Sequence, residues 1–335
     1  MDVAPISPHT LGPYISSVLP IKSALTLVRT APYASEWLVA SSLDGKLSLI
    51  DASHKVEQIA LDAPILDTTV LDSGIYSALA NGTVQKLDMR SRKVSNTPIA
   101  HNLPVQCVES HAKRNLIISG SWDKTVQLAD PRVFEQPSVM DLPGKVYAMD
   151  VHQQTDRFIV GMSNRQIHVY DFRKLDRPVS SMENGFRFQT TKVRFLPNGR
   201  GFLQSSIEGK VSLDLFEDAE NNYAFKCHRQ KLVIENESVD LVNPVNCIEF
   251  FDTESRFFTA GSDRSICLWD YKTKKRVKQY ANFEMSIVAL AYNQDTHQLA
   301  IAMSDDSYKN MTGLDDQTNN KPAIPSKITT RNMHS

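Results

Sequence analysis

An all-β, seven-bladed propeller is the fold this sequence predicts, and three observations predict it. A unit recurs along most of the 335 residues: an apolar alternating run, a small residue, Asp, Asn or Glu in a turn, then a second alternating run. The turn residues Asp44, Asn81, Asp123, Asn164, Glu208, Asp263 and Asp305 follow one another at intervals of about 43 residues, a period that belongs to propeller blades. An apolar strand opener stands 18 positions before the turn residue in four units (Val105, Val146, Val245, Ile287) and 16 before it in a fifth, Ile65.

The turns come first. Ser42-Leu43-Asp44-Gly45, Leu79-Ala80-Asn81-Gly82 and Ser206-Ile207-Glu208-Gly209 offer Gly where a tight hairpin needs positive φ. The others read Ser121-Trp122-Asp123-Lys124, Met162-Ser163-Asn164-Arg165, Gly261-Ser262-Asp263-Arg264 and Met303-Ser304-Asp305-Asp306. The strands beside them alternate, so each puts one face into a core between blades. A further strand is expected after each turn, over 46–51, 83–88, 125–130, 166–171, 210–215 and 265–270. Five of these six end in Asp, and the last closes on Trp269-Asp270, the dipeptide that names WD repeats. Trp269 therefore reads as packing between sheets.

Domain organisation follows. Residues 1–310 are expected to form the seven-bladed WD-repeat propeller, and 311–335 a polar tail that contributes one short strand over 327–331. Closure normally borrows a strand from the other terminus, so that no sheet edge stays open. The candidates are 3–6 and 14–18. The first blade opens at 15–19 or at 23–28, the latter leaving 30–36 as an insertion. The longest interval, from Glu208 to Asp263, carries its surplus around 217–240 and predicts an inserted rim loop.

Function classes can then be weighed. With 37 Lys and Arg against 38 Asp and Glu, the chain does not read as a nucleic-acid binder by bulk charge, although a local basic patch fits that balance. Residues 1–5 lack a basic n-region and an apolar h-region, and no apolar run reaches the ~20 residues of a membrane span. Cys107, Cys227, Cys247 and Cys267 form no C-x-x-C pair, so no zinc or redox site is expected. Neither a phosphate-binding loop, an H-E-x-x-H helix nor a G-x-S-x-G elbow is present, and the chain reads as a non-enzyme without cofactor. His101, ahead of the strand opener Val105, reads as a buried partner of a turn aspartate.

A binding face remains. The residue before the turn acid is Leu43, Ala80, Trp122, Ser163, Ile207, Ser262 or Ser304. Trp122 stands out, and a tryptophan on the face around a propeller channel is a typical anchor for a partner. The run Tyr223-Ala224-Phe225-Lys226-Cys227-His228-Arg229 sets three basic or titratable groups within four residues, and Lys210 follows the adjacent turn. Such convergence suits an acidic or phosphorylated peptide, or else marks a solvated strand edge. The run 272–278 reads as a solvated turn.

These residues resemble a known family. Ser205-Ser206-Ile207-Glu208-Gly209-Lys210-Val211, Tyr223-Ala224-Phe225-Lys226-Cys227-His228-Arg229, Asn243-Pro244-Val245-Asn246, Gly261-Ser262-Asp263 and Ile159-Val160-Gly161-Met162-Ser163-Asn164 are similar to the spindle-assembly-checkpoint WD-repeat propeller family. The likeness covers roughly 15–310. The messenger-RNA export propeller, a sister family, shares the Phe225 to Arg229 segment, while 304–310 and the short N-terminus lean to the checkpoint branch. The resemblance implies a nuclear scaffold that sits at kinetochores in mitosis. It implies a short motif of a checkpoint kinase or its relative held near Trp122 and Leu43, and recruitment to phosphorylated Met-Glu-Leu-Thr repeats. The family's phosphate-contacting basic residues match Lys210 and Lys226, beside His228 and Arg229; relatives often have Arg at the first two, and Trp where Leu43 stands. The rival readings are a nuclear-pore peptide on the same face and a substrate-recruiting subunit of a ubiquitin ligase.

Overall fold

The apolar runs form antiparallel strands, and short turns connect nearly all of them in sequence order. A computed structural model describes residues 14–21, 37–51, 53–133, 135–234, 237–294, 296–305 and 326–333. Blade 1 contains β1 (Ile15–Ile21), β2 (Trp37–Ser42), β3 (Lys46–Ile50) and β4 (Val56–Ala60). Blade 2 contains β5 (Ile65–Leu71), β6 (Gly74–Leu79), β7 (Thr83–Asp88) and β8 (Val94–Ala100). Blade 3 contains β9 (Val105–His111), β10 (Leu116–Ser121), β11 (Thr125–Ala129) and β12 (Ser138–Asp141). Blade 4 contains β13 (Val146–His152), β14 (Arg157–Met162), β15 (Gln166–Asp171) and β16 (Ser180–Glu183). Blade 5 contains β17 (Thr190–Phe195), β18 (Gly201–Ser206), β19 (Lys210–Leu215) and β20 (Tyr223–Lys226). A separate hairpin of β21 (Arg229–Ile234) and β22 (Glu237–Val242) follows. Blade 6 contains β23 (Val245–Phe250), β24 (Arg256–Gly261), β25 (Ile266–Asp270) and β26 (Lys275–Tyr280). Blade 7 has β27 (Ser286–Asn293), β28 (Gln298–Ser304) and β29 (Lys327–Asn332) among the described residues.

The chain is thus a seven-bladed β-propeller, and each junction between neighbouring blades has its own apolar cluster. The fixed spacing of strand openers has a structural cause. In every innermost strand the register shifts by one residue just after the opener, a bulge that bends the strand and sharpens its twist.

Two topological expectations need revision. The reading of 15–19 as the opening strand of the first blade holds, and that of 14–18 as a strand lent to the last blade does not: β1 pairs with β2 and forms the innermost strand of blade 1. It meets blade 7 face to face, where Ile15, Val18, Ala40 and Ile50 pack on Ala289, Ala291, Ala300, Ala302 and Ile328. The alternatives 3–6, 23–28 and 30–36, and the tail over 312–325, lie outside the described residues. The surplus after Glu208 is also not one loop. Its acidic part connects β19 to β20 at one end of blade 5, and the rest forms the β21–β22 hairpin at the other end. All four cysteines are buried and free.

Candidate functional site

The turn between the second and third strands of each blade is set by local chemistry. The side-chain oxygens of Asp44, Asn81, Asp123, Asn164 and Asp263 accept the backbone N–H two residues on, at 3.0–3.3 Å. The following residue has positive φ, whether Gly45, Gly82 and Gly209 or Lys124, Arg165 and Arg264. Gly209 is required on a second count: a Cβ there would lie 2.7 Å from the Cys227 carbonyl oxygen. One residue earlier, the N–H of Leu43, Ala80, Trp122, Ser163, Ile207 and Ser262 donates to a carbonyl of the segment that enters the innermost strand. Six side chains therefore occupy one repeated position on one face of the ring.

Trp122 is the largest of them, and it is 36% exposed. Its N–H donates to Pro104 O at 3.2 Å, and exposed Leu103 lies in the same entering segment. Leu43 is half-buried at the equivalent place in blade 1. Blade 5 repeats the pattern: exposed Ile207 donates its N–H to Gln189 O, next to Phe188, which is 56% exposed. Leu103 and Phe188 escape a reading that compares one residue per blade.

Lys210 and Lys226 come together, as direct cross-strand partners in the β19–β20 ladder. Both line a hollow of about 350 Å³ with Gln204, Ser212, Asp214 and Tyr223. Lys226 is exposed and has no ion pair among the described residues. Lys210 Nζ lies 2.7 Å from Glu208 Oε2. Burial pushes the Glu208 carboxyl up, but Lys210 and the Arg187 N–H outweigh it and hold it below the usual range. An anion entering the hollow must compete with Glu208 for Lys210.

His228 and Arg229 do not join this pair. The His228 ring is buried, with Nδ1 2.8 Å from Asp263 Oδ1 and Nε2 2.8 Å from Thr259 Oγ1, so neither nitrogen faces the hollow. Trp269 Nε1 donates to the same Thr259 oxygen at 2.8 Å, and its ring packs on Phe225; its structural reading holds. Arg229 donates to Glu208 O at 2.9 Å and has Asp240 at 3.7 Å, tying the root of the hairpin to the turn of blade 5. His101 follows the sequence reading: Nδ1 lies 3.1 Å from Asp123 Oδ2 and Nε2 2.8 Å from Ser119 Oγ. Among the described residues no group of three His, Cys, Asp or Glu is placed to hold a metal ion, and no helix is long and apolar enough to cross a membrane.

Comparisons with known proteins bear on the family of the chain. A family model described as "WD domain, G-beta repeat" matches residues 92–130 and 241–270. The chain is 37% identical to the mitotic checkpoint protein bub-3 of Caenorhabditis elegans over 212 residues, 61% of this chain and 60% of that protein. It is 33% identical to the mitotic checkpoint protein BUB3.1 of Arabidopsis thaliana, covering 81% of each. It is 31% identical to the spindle assembly checkpoint protein bub3 of Schizosaccharomyces pombe, over 84% of this chain and 88% of that one. The mRNA export factor GLE2 of Chaetomium thermophilum is 28% identical over 83% of this chain and 79% of its own.

Proposed function

Because the chain belongs to the Bub3 family of mitotic checkpoint proteins, its role is in the spindle checkpoint, and we propose that it works there as a non-catalytic, monomeric scaffold. Its turn face takes a short motif of a checkpoint kinase or of that kinase's relative, and its blade 5 hollow takes a phosphorylated kinetochore repeat. It acts in the nucleus and, during mitosis, at kinetochores.

Trp122 carries the reading. It is the bulkiest side chain at the repeated position, and leaving it in water without a partner is costly. Leu103 extends the apolar surface beside it. The recruitment step rests on Lys210 and Lys226, two cations in register at the mouth of one hollow. A phosphothreonine brings nearly two negative charges and three acceptor oxygens, enough to engage both.

Calorimetry with two peptides tests both halves. Trp122→Ala should weaken the kinase-motif peptide by about 2–4 kcal/mol and leave the phosphopeptide nearly as before. Lys210→Ala with Lys226→Ala should weaken a phosphorylated Met-Glu-Leu-Thr peptide by about 2–4 kcal/mol and spare the kinase motif. Equal binding of phosphorylated and unphosphorylated peptide to the wild type would reject the recruitment half. Unchanged kinase-peptide affinity in Trp122→Ala would reject the other.

Similarity to GLE2 supports a second reading, in which the same face docks a nuclear-pore peptide. Cells without the protein separate the two. On the checkpoint reading they leave mitosis in a spindle poison; on the export reading they arrest and retain polyadenylated RNA in the nucleus.

A further inference from the structure

The outer edge of blade 6 carries an unneutralised row of cations. Residues 272–278 hold Lys272, Lys274, Lys275, Arg276 and Lys278 and no acid, in a chain of formal net charge −1. They form the connection after β25 and most of β26, and residues 272–279 are exposed. The fourth strands of the other five four-stranded blades carry one cation between them, Lys226. None of the five has a carboxylate within 4.0 Å among the described residues. Three lie over aromatic rings: Lys274 4.8 Å from the Tyr223 ring of blade 5, Arg276 6.0 Å from Trp269, and Lys278 5.0 Å from Tyr280. Ring faces attract these cations without cancelling their charge.

Edge lysines commonly serve only to stop sheets from adding to one another. Here that need is already met by the backbone. Leu268 pairs with Lys278 and Trp269 with Arg276, so Val277 is the extra residue of a bulge, and a further strand would find no regular ladder. A partner on this edge has to be held by side chains alone. The cations follow one another through the connecting turn and along the strand, and three of the five sit over aromatic rings. That arrangement suits a ligand with repeating charges and no demand for a shaped site. We infer that the edge of blade 6 binds the phosphate backbone of nucleic acid, without sequence preference. The inference stands independently of the peptide assignments above.

Fluorescence anisotropy of the full chain with a labelled single-stranded oligonucleotide, and separately with its duplex, tests it. The two probes report which form is preferred. Binding should weaken with salt along a log–log slope of about 3–4, as expected for up to five phosphate contacts. Lys274→Ala/Lys275→Ala/Lys278→Ala should lose about tenfold or more in affinity and flatten that slope, with an unchanged melting temperature. Lys272→Gln/Lys275→Gln, which disturbs none of the three ring contacts, should lose a smaller factor in the same direction. No binding by wild type at low salt, or equal binding by both variants, overturns the inference. So does displacement of the oligonucleotide by a poly-glutamate peptide as readily as by unlabelled oligonucleotide, because the row would then serve acidic protein.

Discussion

His228 joins the segment leaving blade 5 to blade 6 through both of its ring nitrogens, Nδ1 to Asp263 in the turn and Nε2 to Thr259 in β24. Asp263, its carboxylate partner, is 6% exposed at the side chain. Burial alone would raise the Asp263 carboxyl, but the hydrogen bond and charge of His228 and the bonds from Ser265 outweigh it and hold it low. His228→Ala leaves that carboxylate buried without its main partner, at a cost of about 2–3 kcal/mol. The melting temperature at pH 7 should fall, while phosphopeptide affinity, measured well below the melt, stays unchanged. The sign with pH follows from the depressed carboxyl. Its stabilisation is present above the unfolded value of about 3.9 and is lost as pH falls through the folded value, so the deficit of the variant should shrink in acid. A variant that melts normally but loses the phosphopeptide would return His228 to the binding surface. The sequence hid this role for a definite reason. His101 stands four residues before its strand opener Val105 and could be read as a turn partner. His228 holds the same kind of place, but the β21–β22 hairpin separates it from Val245. Its positive φ of 51° also breaks the alternation that would have turned it outward with Lys226.

At the scale of strands and blades, what could be read in the sequence was chemistry completed within a few residues. An Asp or Asn that accepts an N–H two residues on sets its turn wherever it occurs, so the repeat showed itself. Closure was not of that kind: β1 has the pattern of an inner strand, and only the partner across the ring shows whether it was lent or kept. The junction it makes is unusual in being lined on the blade 7 side by Ala289, Ala291, Ala300 and Ala302, with Ile328 of β29 the one large fully buried side chain there among the described residues. Ile328 is 0% exposed, and alanines have no reach with which to fill a space beside them. Ile328→Ala should therefore destabilise the ring by about 3 kcal/mol or more, read from the midpoint of urea unfolding. A loss below about 1 kcal/mol would mean that β29 contributes little to closing the ring.

Across the whole molecule, the innermost strands turn six charged groups toward a central cavity of about 220 Å³: Asp67, Glu109, Asp150, Lys192, Arg194 and Glu249. In sequence these alternate with core residues and look like an ordinary wet face. The ring converts that face into a shared interior, a change that no single strand announces. Some of the charges have direct work. Arg194 lies 3.2 Å from Glu249 and 3.8 Å from Asp150, while Asp67 accepts the Val108 N–H and Asp150 the Phe195 N–H across blade junctions. Glu109 is less well placed. Burial, and then the charges of Asp150 and Asp67, push its carboxyl well above the ordinary range against the pull of Arg194 and Lys192. A folded value above the unfolded one means stability that is complete below about pH 4.3 and lost as pH rises through the folded value. At neutral and alkaline pH the fold therefore works against ionised Glu109. Glu109→Gln keeps the shape and removes the charge, so it should raise the melting temperature by about 2–4 °C at pH 8. Near pH 4, where both side chains are neutral, the two proteins should melt together. A lower melting temperature at pH 8 would instead assign Glu109 to an ion pair that holds the inner strands, and an equal rise at both pH values would trace the gain to packing rather than charge.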